Sequence, residues 1–335
     1  MNTADVLKIL ARNGLAEAGI RTVEALPEGT FNTVYRVRLT DGTGLVCKIS
    51  PPPDTPILSY ERGLSHGELV FYRSAATARS VPVPAVVRHD FDRTVVDGDV
   101  VIMTECPGRS WHSLREELGE DDQARLRHRL GGITAELHTV TGTGFGYPRE
   151  TPLAATWRES FLTMFDTLCG DAEHYRAGTP VPVAELRRRV HAHADTLDEI
   201  ETPGLVHFDL WNGNILVDLA DGRPEISGVV DGERAFWGDP VAEFVSLALL
   251  GEIERDDHFL RGYREAGGSV VFDAGTRIRL ALYRCYLYLI MLTESVPRGY
   301  PDAQLARLRR MVDPPLLAAS AVLAGESPGV HPRSR

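Results

Sequence analysis

Residues 205–218 read LVHFDLWNGNILVD, and residues 226–233 read ISGVVDGE. Each stretch contains a short apolar strand pattern, and an Asp-Gly turn signal lies between the two strands. If the strands pair as an antiparallel hairpin, Asn214 just before the first and Asp231 just after the second lie at the same end. The pairing therefore predicts that an amide oxygen and a carboxylate converge beside Asp209.

These three side chains are of the types that phosphoryl transfer requires. Mg²⁺ prefers a few hard oxygen ligands, and a further carboxylate can orient an attacking hydroxyl and accept its proton. We predict Asp209 as the catalytic base, Asp231 as the main Mg²⁺ ligand and Asn214 as the second. Asp and Asn also form ordinary turns, but the combined spacing favours the catalytic interpretation.

The remaining sequence predicts a strand-rich N-terminal part and a largely helical C-terminal part. The first part has strands at 34–39, 45–49, 95–96 and 100–103, and helices near 6–15 and 68–78. After a Pro-Gly break, helical spacing covers 121–139, 156–175, 183–200 and most of the chain from 241 onward. We predict an N-terminal lobe over 1–105, a C-terminal lobe over 106–325 and a flexible tail over 326–335.

The motif resembles the aminoglycoside phosphotransferase and choline kinase superfamily, a group of protein-kinase-like small-molecule kinases. The shared segment is His-x-Asp-x-x-x-x-Asn, here His207, Asp209 and Asn214, followed by the metal aspartate Asp231. The resemblance implies an α+β bilobal fold with a small antiparallel-sheet lobe, a larger mostly helical lobe and ATP or GTP between them. Phe208 replaces the Arg of protein kinases, which favours a small-molecule acceptor. The run Asp-Leu-Trp-x-Gly-Asn also resembles fructosamine kinases.

Lys48 is the candidate nucleotide-binding cation. It lies in the middle of an apolar strand, where a charge needs a partner, and Glu68 on the next helix is a candidate, with Glu61 as the fallback. Alternatively, Lys48 extends from an edge strand to solvent. By resemblance, Lys48 contacts the phosphates and Glu68 holds it in place. The other predicted nucleotide contacts are Thr30, Phe31 and Asn32 in a loop over the phosphates, and Met103, Thr104, Glu105 and Cys106 in the adenine hinge.

Two further residues are assigned to support of the catalytic loop. His207 has a structural role in the family's motif, and Asp239 could hold the loop from the following helix. Asp239 could instead be a helix N-cap before Pro240, with Glu243 as the alternative anchor. The candidate acceptor-binding residues are Trp211, Glu233, Asp166 and Glu294, although acidic residues on helices commonly serve solubility alone.

Composition narrows the range of partners. The formal net charge of −11 disfavours nucleic acid and suits a cationic substrate. The four cysteines are scattered without a Cys-x-x-Cys pair, and no apolar stretch is long enough to span a bilayer. We expect a cytoplasmic monomer or weak dimer without a membrane partner.

The sequence therefore predicts a Mg²⁺-dependent ATP or GTP phosphotransferase acting on a hydroxyl of a small molecule. The predicted acceptor is an aminoglycoside-like or other antibiotic, or an amino sugar. The alternatives are a metabolic kinase of the fructosamine, choline or homoserine type and a nucleotide-binding pseudokinase. The P-loop, the Rossmann fingerprint and the Gly-x-Ser-x-Gly elbow are absent from the sequence.

Overall fold

The computed structural model describes residues 3–26, 31–220 and 222–326, and its N-terminal part is a helix followed by an antiparallel sheet. The helix is α1 (Thr3–Arg12). The strands are β1 (Ile20–Leu26), β2 (Thr33–Leu39), β3 (Gly44–Ile49), β4 (Val86–Asp90) and β5 (Val100–Thr104), in the spatial order β1-β2-β3-β5-β4. The predicted hairpin of β2 and β3 is confirmed.

Three features of this sheet differ from the sequence prediction. The sequence does not predict strands β1 and β4, and the strand expected at residues 95–96 is wrong, because this stretch lies in the bend region between β4 and β5. Val95 is 38% exposed there. A two-residue apolar run before Asp-Gly is too short to bury a strand face, whereas β4 pairs with β5 along its length.

The C-terminal part is mostly helical, as predicted. Helix α2 (Leu64–Ala75) precedes it, and the remaining helices are α3 (Glu120–Leu137), α4 (Trp157–His174), α5 (Val183–Ala192), α6 (Glu243–Leu247), α7 (Asp257–Glu265), α8 (Ala274–Glu294) and α9 (Asp302–Leu323). Its short strands are β6 (Arg109–Ser110), β7 (Gly204–Val206), β8 (Ile215–Asp218), β9 (Glu225–Val229) and β10 (Phe236–Gly238). The helix predicted over 183–200 is divided, because α5 ends before a 3-10 helix at Ala194–Glu199.

The alternation of side chains between the two faces of β3 determines where Lys48 lies. Leu45, Cys47 and Ile49 are buried in one apolar cluster together with residues of α1. Because successive side chains of a strand point to opposite faces, Lys48 lies on the other face of the sheet, where its ammonium meets Glu68 of α2. The strand pattern therefore places a cation between sheet and helix.

Helix α8 is the centre of the helical part. Almost all of its residues from Leu280 to Leu292 are buried, and Tyr283 accepts a 2.7 Å hydrogen bond from the indole of Trp157 on α4. The α+β bilobal architecture is thus confirmed, whereas the boundary at residue 105 stays a prediction. Residues 327–335, most of the predicted tail, lie outside the described residues. None of the helices in the described ranges is long and apolar enough to cross a membrane.

The buried side chain of His138 should make the free energy of unfolding sensitive to acid. Burial lowers the pKa of His138 from 6.5 to about 3 in the core beside Tyr263 and Phe244. As the pH falls, His138 therefore binds a proton in the unfolded chain before it does so in the folded chain. Its contribution to the free energy of unfolding is complete above pH 6.5 and is lost as the pH falls towards 3. Between pH 7.5 and pH 5, the free energy of unfolding of the wild type should fall by about 2 kcal/mol more than that of His138→Gln. Urea unfolding at the two pH values measures this difference. An unchanged pH dependence in the variant would contradict this.

Candidate active site

The hairpin of β8 and β9 brings the predicted catalytic residues together. Ile215 lies opposite Val229, and the next residue, Val230, donates its amide to the carbonyl of Asn214 at 3.0 Å. Asn214 and Asp231 therefore lie at the same end of the hairpin. The Asn214 side-chain amide donates to the Asp209 carbonyl at 2.8 Å, which fixes the catalytic loop against the hairpin.

The catalytic loop is held from behind by a buried carboxylate, Glu243. Its two oxygens accept hydrogen bonds from the backbone amides of His207 at 2.6 Å and Phe208 at 3.0 Å. Ser246, one turn later in α6, accepts from the Leu210 amide at 3.0 Å. Because the first turn of a helix attracts negative charge, Glu243 at the start of α6 is well suited to this role.

Asp239, the support residue predicted first, does something else. One of its oxygens caps the following turn by accepting from the Val241 amide at 2.9 Å. The other accepts from Arg279 at 3.0 Å and from Tyr283 at 2.8 Å, both on α8. The prediction that Asp239 holds the catalytic loop is therefore wrong, because its oxygens are used by the cap and by α8. Glu243, the alternative, makes the loop contacts.

His207 lies inside the loop, with no exposed surface. Its Nδ1 accepts from the Asp209 amide at 3.2 Å, and this contact leaves the proton on Nε2, which donates to the Val230 carbonyl at 2.8 Å. Burial lowers the pKa of His207, so the ring is neutral. His207 thus connects the catalytic loop to the strand that leads to Asp231.

We predict that Glu243→Gln destabilises the fold and slows turnover together. Glutamine offers one oxygen where two amides need acceptors, and a buried amide left unpaired costs about 1–3 kcal/mol. Urea unfolding and steady-state rates measure the two effects. Glu265→Gln at the exposed end of α7 is the control, since the structure pairs that carboxylate with a surface histidine. Equal stability of the two variants would contradict the anchoring role.

Asp209 shares its surroundings with a buried arginine. Partial burial raises the pKa of Asp209 to about 6, while the charge of Arg234, with Nε 4.0 Å from Oδ2, opposes that rise. The carboxylate is therefore mostly ionised at neutral pH. Arg234 also binds Glu294 at 2.9 Å, Glu294 binds Arg298 at 3.0 Å, and Arg298 binds Glu61 at 2.6 Å.

Ion pairs change the interpretation of three acidic residues that the sequence suggested as binding residues. Glu294 is 7% exposed and bound to two arginines, so it is not free for a cationic acceptor. Asp166 is bound at the outer surface to His191 at 3.0 Å and to Arg187 at 3.4 Å. Glu61 binds Arg298 rather than Lys48, so it is not the lysine's partner.

Lys48 carries three carboxylate contacts. Its ammonium lies 3.0 Å from Glu68, 2.7 Å from Asp231 and 2.8 Å from Glu233. Burial disfavours the charge, but the three carboxylates raise the pKa of Lys48 well above its ordinary value. The structure therefore brings Lys48 and Glu68 together, as sequence reasoning expected, and joins both to the hairpin residue Asp231.

Glu233 is held by two side chains of the N-terminal part. Its Oε2 accepts from Lys48 and also from the Asn32 side chain at 2.8 Å. Its carboxylate is thus bound between the lysine and the loop, and a contact of Glu233 with the acceptor stays a prediction. The neighbouring Phe31 ring lies 5.5 Å from the Arg298 guanidinium. Thr30 lies outside the described residues.

The predicted hinge lies at the end of β5. The amides of Thr104 and Glu105 donate to the carbonyls of Ala85 and Gly44, each at 2.9 Å. The Glu105 carboxylate pairs with two arginines of β2 at 2.8 and 2.7 Å. The roles of Met103, Thr104, Glu105 and Cys106 towards a base stay predictions.

The described residues suit a magnesium ion bound together with phosphates. Asp231 has a half-exposed side chain, and the charge of Lys48 lowers its pKa, so it is an ionised oxygen donor. The amide nitrogen of Asn214 is used by Asp209, which leaves its oxygen for a cation. Within the described ranges, no three His, Cys, Asp or Glu side chains cluster in a way that could hold a metal ion.

Trp211 lies on the surface of the catalytic loop. Its ring centroid is 5.3 Å from that of His112. Its carbonyl accepts from the Asn214 amide at 2.9 Å. A role in acceptor binding stays a prediction for this residue.

The fold and the side chains of this site are those of a phosphotransferase. The sequence model of the phosphotransferase enzyme family APH matches residues 22–281. The chain belongs to this family.

Three known proteins that are similar to this chain differ from one another in identity and coverage. A probable ketoamine kinase from Synechocystis sp. is 28% identical over 176 residues, which are 48% of this chain and 53% of that protein. The chain thus matches about half of the length of this curated relative. The crystal structure of a candidate fructosamine-3-kinase from Thermobifida fusca has a TM-score of 0.67 and 23% identity, covering 97% of this chain and 100% of that one. A thermostable mutant of aminoglycoside phosphotransferase APH(4)-Ia, bound to ADP and hygromycin B, has a TM-score of 0.62 and 20% identity, covering 96% and 98%.

Proposed function

We propose that the protein transfers the γ-phosphate of ATP to a hydroxyl of a ketoamine, a ketose in which a secondary amine replaces the hydroxyl of carbon 1. The observation that carries the proposal is the convergence of Lys48, Asp231, Asn214 and Asp209 at one end of the β8–β9 hairpin. The ketoamine class is supported by the similarity to a probable ketoamine kinase and by the Asp-Leu-Trp-x-Gly-Asn run at residues 209–214.

In this mechanism, each side chain has one task. Lys48, held by Glu68, binds phosphate oxygens of the nucleotide. Asp209 orients the acceptor hydroxyl and accepts its proton as the oxygen attacks the γ-phosphorus, and the bond from that phosphorus to the bridging oxygen of ADP breaks. Asp231 and Asn214 would hold Mg²⁺, which neutralises charge on the phosphates.

The arrangement also bears on the pseudokinase alternative. Lys48, Asp209, Asn214 and Asp231 are all present and close to one another, and Asp209 is mostly ionised at neutral pH. These features favour an active enzyme over a protein that only binds nucleotide.

The test is a coupled assay of ADP release by the purified protein with ATP or GTP and Mg²⁺. The acceptors are N-(1-deoxyfructos-1-yl)-glycine as the ketoamine, hygromycin B and kanamycin as aminoglycosides, glucosamine as an amino sugar, choline and homoserine. Turnover of the ketoamine with at least tenfold higher kcat/KM than the others supports the proposal. Turnover of an aminoglycoside alone would overturn the ketoamine assignment and favour an antibiotic acceptor. Nucleotide binding without any turnover would favour the pseudokinase.

A further inference from the structure

Tyr72 is a buried residue of α2 whose hydroxyl lies between two residues of the site. Its side chain is 2% exposed. The hydroxyl donates to Glu68 Oε1 at 3.0 Å and accepts from the backbone amide of Asp231, also at 3.0 Å. One hydroxyl therefore joins the carboxylate that holds Lys48 to the backbone of the proposed metal ligand.

These two hydrogen bonds complete a closed circuit of four residues. Lys48 Nζ lies 3.0 Å from the same oxygen of Glu68 and 2.7 Å from Asp231 Oδ1. Lys48 thus contacts the side chain of Asp231, while Tyr72 contacts its backbone. The position of the Asp231 carboxylate depends on both attachments, because the side chain follows the peptide group that carries it.

The backbone of Asp231 has a conformation that needs support. Its φ of 60° and ψ of 46° lie in the left-handed region, which residues with a side chain rarely adopt. Such a conformation persists when the surrounding structure holds it. The bond from the Asp231 amide to the Tyr72 hydroxyl supplies such a contact. A return to an ordinary φ would turn the carboxylate away from the direction in which it now meets Lys48.

The face of α2 that carries Tyr72 packs closely against the same segment. Glu68, Phe71 and Tyr72 are three and four residues apart, so they share one face of the helix. Phe71 lies over Gly232, the residue after Asp231, where a Cβ atom would overlap its ring. The Phe71 ring centroid is also 5.0 Å from that of His207. The helix is thus fitted to this segment on both sides of the Tyr72 hydroxyl.

We infer that Tyr72 is a positioning residue, whose hydroxyl fixes the backbone of Asp231 and thereby directs the Asp231 carboxylate towards Mg²⁺. The inference rests on the proposed function for the role of Asp231 as a metal ligand. Tyr72 acts through Asp231. Removing a group that orients a metal ligand typically lowers metal affinity by about 10-fold to 100-fold.

The test compares two buried tyrosine hydroxyls that have matching partners. Tyr72→Phe keeps the ring and removes the hydroxyl. Tyr283→Phe is the control, because the Tyr283 hydroxyl is also buried and also accepts from one N–H group and donates to one carboxylate, those of Trp157 and Asp239. The probe is ADP, titrated by calorimetry with Mg²⁺ and again with EDTA.

The two variants should differ in their response to Mg²⁺. We expect Tyr72→Phe to weaken ADP binding by about 10-fold to 100-fold with Mg²⁺, and by about twofold or less with EDTA. Glu68 still holds Lys48 in this variant through their direct contact, which is why binding without the metal should be kept. Tyr283→Phe should bind ADP within about twofold of wild type under both conditions, since its hydroxyl contacts α4 and the cap at Asp239.

Three outcomes would overturn the inference. The first is wild-type affinity of Tyr72→Phe with Mg²⁺. The second is an equal loss with Mg²⁺ and with EDTA, or in Tyr72→Phe and Tyr283→Phe, because either would indicate a general structural effect. The third is wild-type protein that binds ADP equally well with Mg²⁺ and with EDTA, which would remove the metal role of Asp231. None of these measurements uses an acceptor, so absence of turnover with every acceptor would count against the proposed function alone.

Hydrogen exchange in the wild type tests the contact itself and does not depend on the folding of a variant. Before any ligand is added, the Asp231 amide should exchange at least about a hundredfold more slowly than in an unfolded chain, because a buried hydroxyl binds its proton. NMR spectroscopy of isotope-labelled protein measures this rate. Exchange as fast as in an unfolded chain would show that Tyr72 does not hold the amide and would overturn the inference.

Discussion

Asp209→Asn should lower turnover by about a hundredfold to ten thousandfold, because it removes the group that we propose accepts the proton of the acceptor hydroxyl. Asparagine keeps the size of the side chain, so the backbone contacts of the loop to Glu243 and Asn214 remain. Nucleotide binding, which we assign to Lys48 and Asp231, should change by about twofold or less. Single-turnover rates and calorimetry with ADP and Mg²⁺ measure the two quantities.

The comparison with Asp239→Asn controls for the loss of a carboxylate near the site. Asp239 lies between the helix cap and α8 and does not contact the reacting groups, so its variant should lose stability more than it loses rate. If Asp209→Asn turned over as fast as wild type, the assignment of Asp209 as base would have to be abandoned.

Asp231→Asn should reduce kcat/KM by about a thousandfold, because a metal ion contributes several kcal/mol to the stabilisation of transferring phosphoryl groups. Because the variant removes a proposed Mg²⁺ ligand, nucleotide affinity measured with Mg²⁺ should fall. Affinity measured with EDTA should stay within about threefold, since Lys48 keeps two of its three carboxylate partners. Titration of ADP under both conditions gives the two values.

Asp218→Asn, at the opposite end of the same hairpin, is the matched control. Its carboxylate accepts from the Ala220 amide at 3.1 Å and serves the turn, so this variant should keep its response to Mg²⁺. An equal loss of magnesium-dependent affinity in both variants would show that the hairpin, and not the Asp231 carboxylate, is responsible.

The sequence predicts the centre of this site well, for a local reason. Asn214 and Asp231 flank two short strands joined by a tight turn, and antiparallel pairing leaves them one possible relative position. Lys48 is similarly predictable, because a charge within an apolar strand requires a buried partner. Both inferences use contacts within one hairpin or between neighbouring elements.

Contacts between distant segments could not be predicted in this way. Arg298 and Glu61 are 237 residues apart in sequence, and nothing in either segment identifies the other. The choice between Asp239, which caps the turn before α6, and Glu243, the first residue of α6, depended on which carboxylate reaches the amides of the loop. The pairing of Phe145 with Ala154 likewise depends on a loop whose path no periodic pattern specifies.

Phe208 has an unfavourable backbone conformation that is stabilised by its buried contacts. Its φ of 61° lies in the left-handed region, which costs a residue with a side chain about 1–2 kcal/mol. Its ring packs 5.0 Å from Phe236 and 5.7 Å from Tyr286, and burial of such a ring contributes about 2–3 kcal/mol. Glu243 holds the same residue through its amide.

Because these contacts involve only the protein, the loop has its catalytic shape before any ligand arrives. The conformational entropy of ordering residues 207–210 is lost when the chain folds, not when the acceptor binds. Binding energy from the acceptor then remains available for aligning its hydroxyl with the phosphate. A loop made mobile at this point would have to be ordered anew in every catalytic cycle.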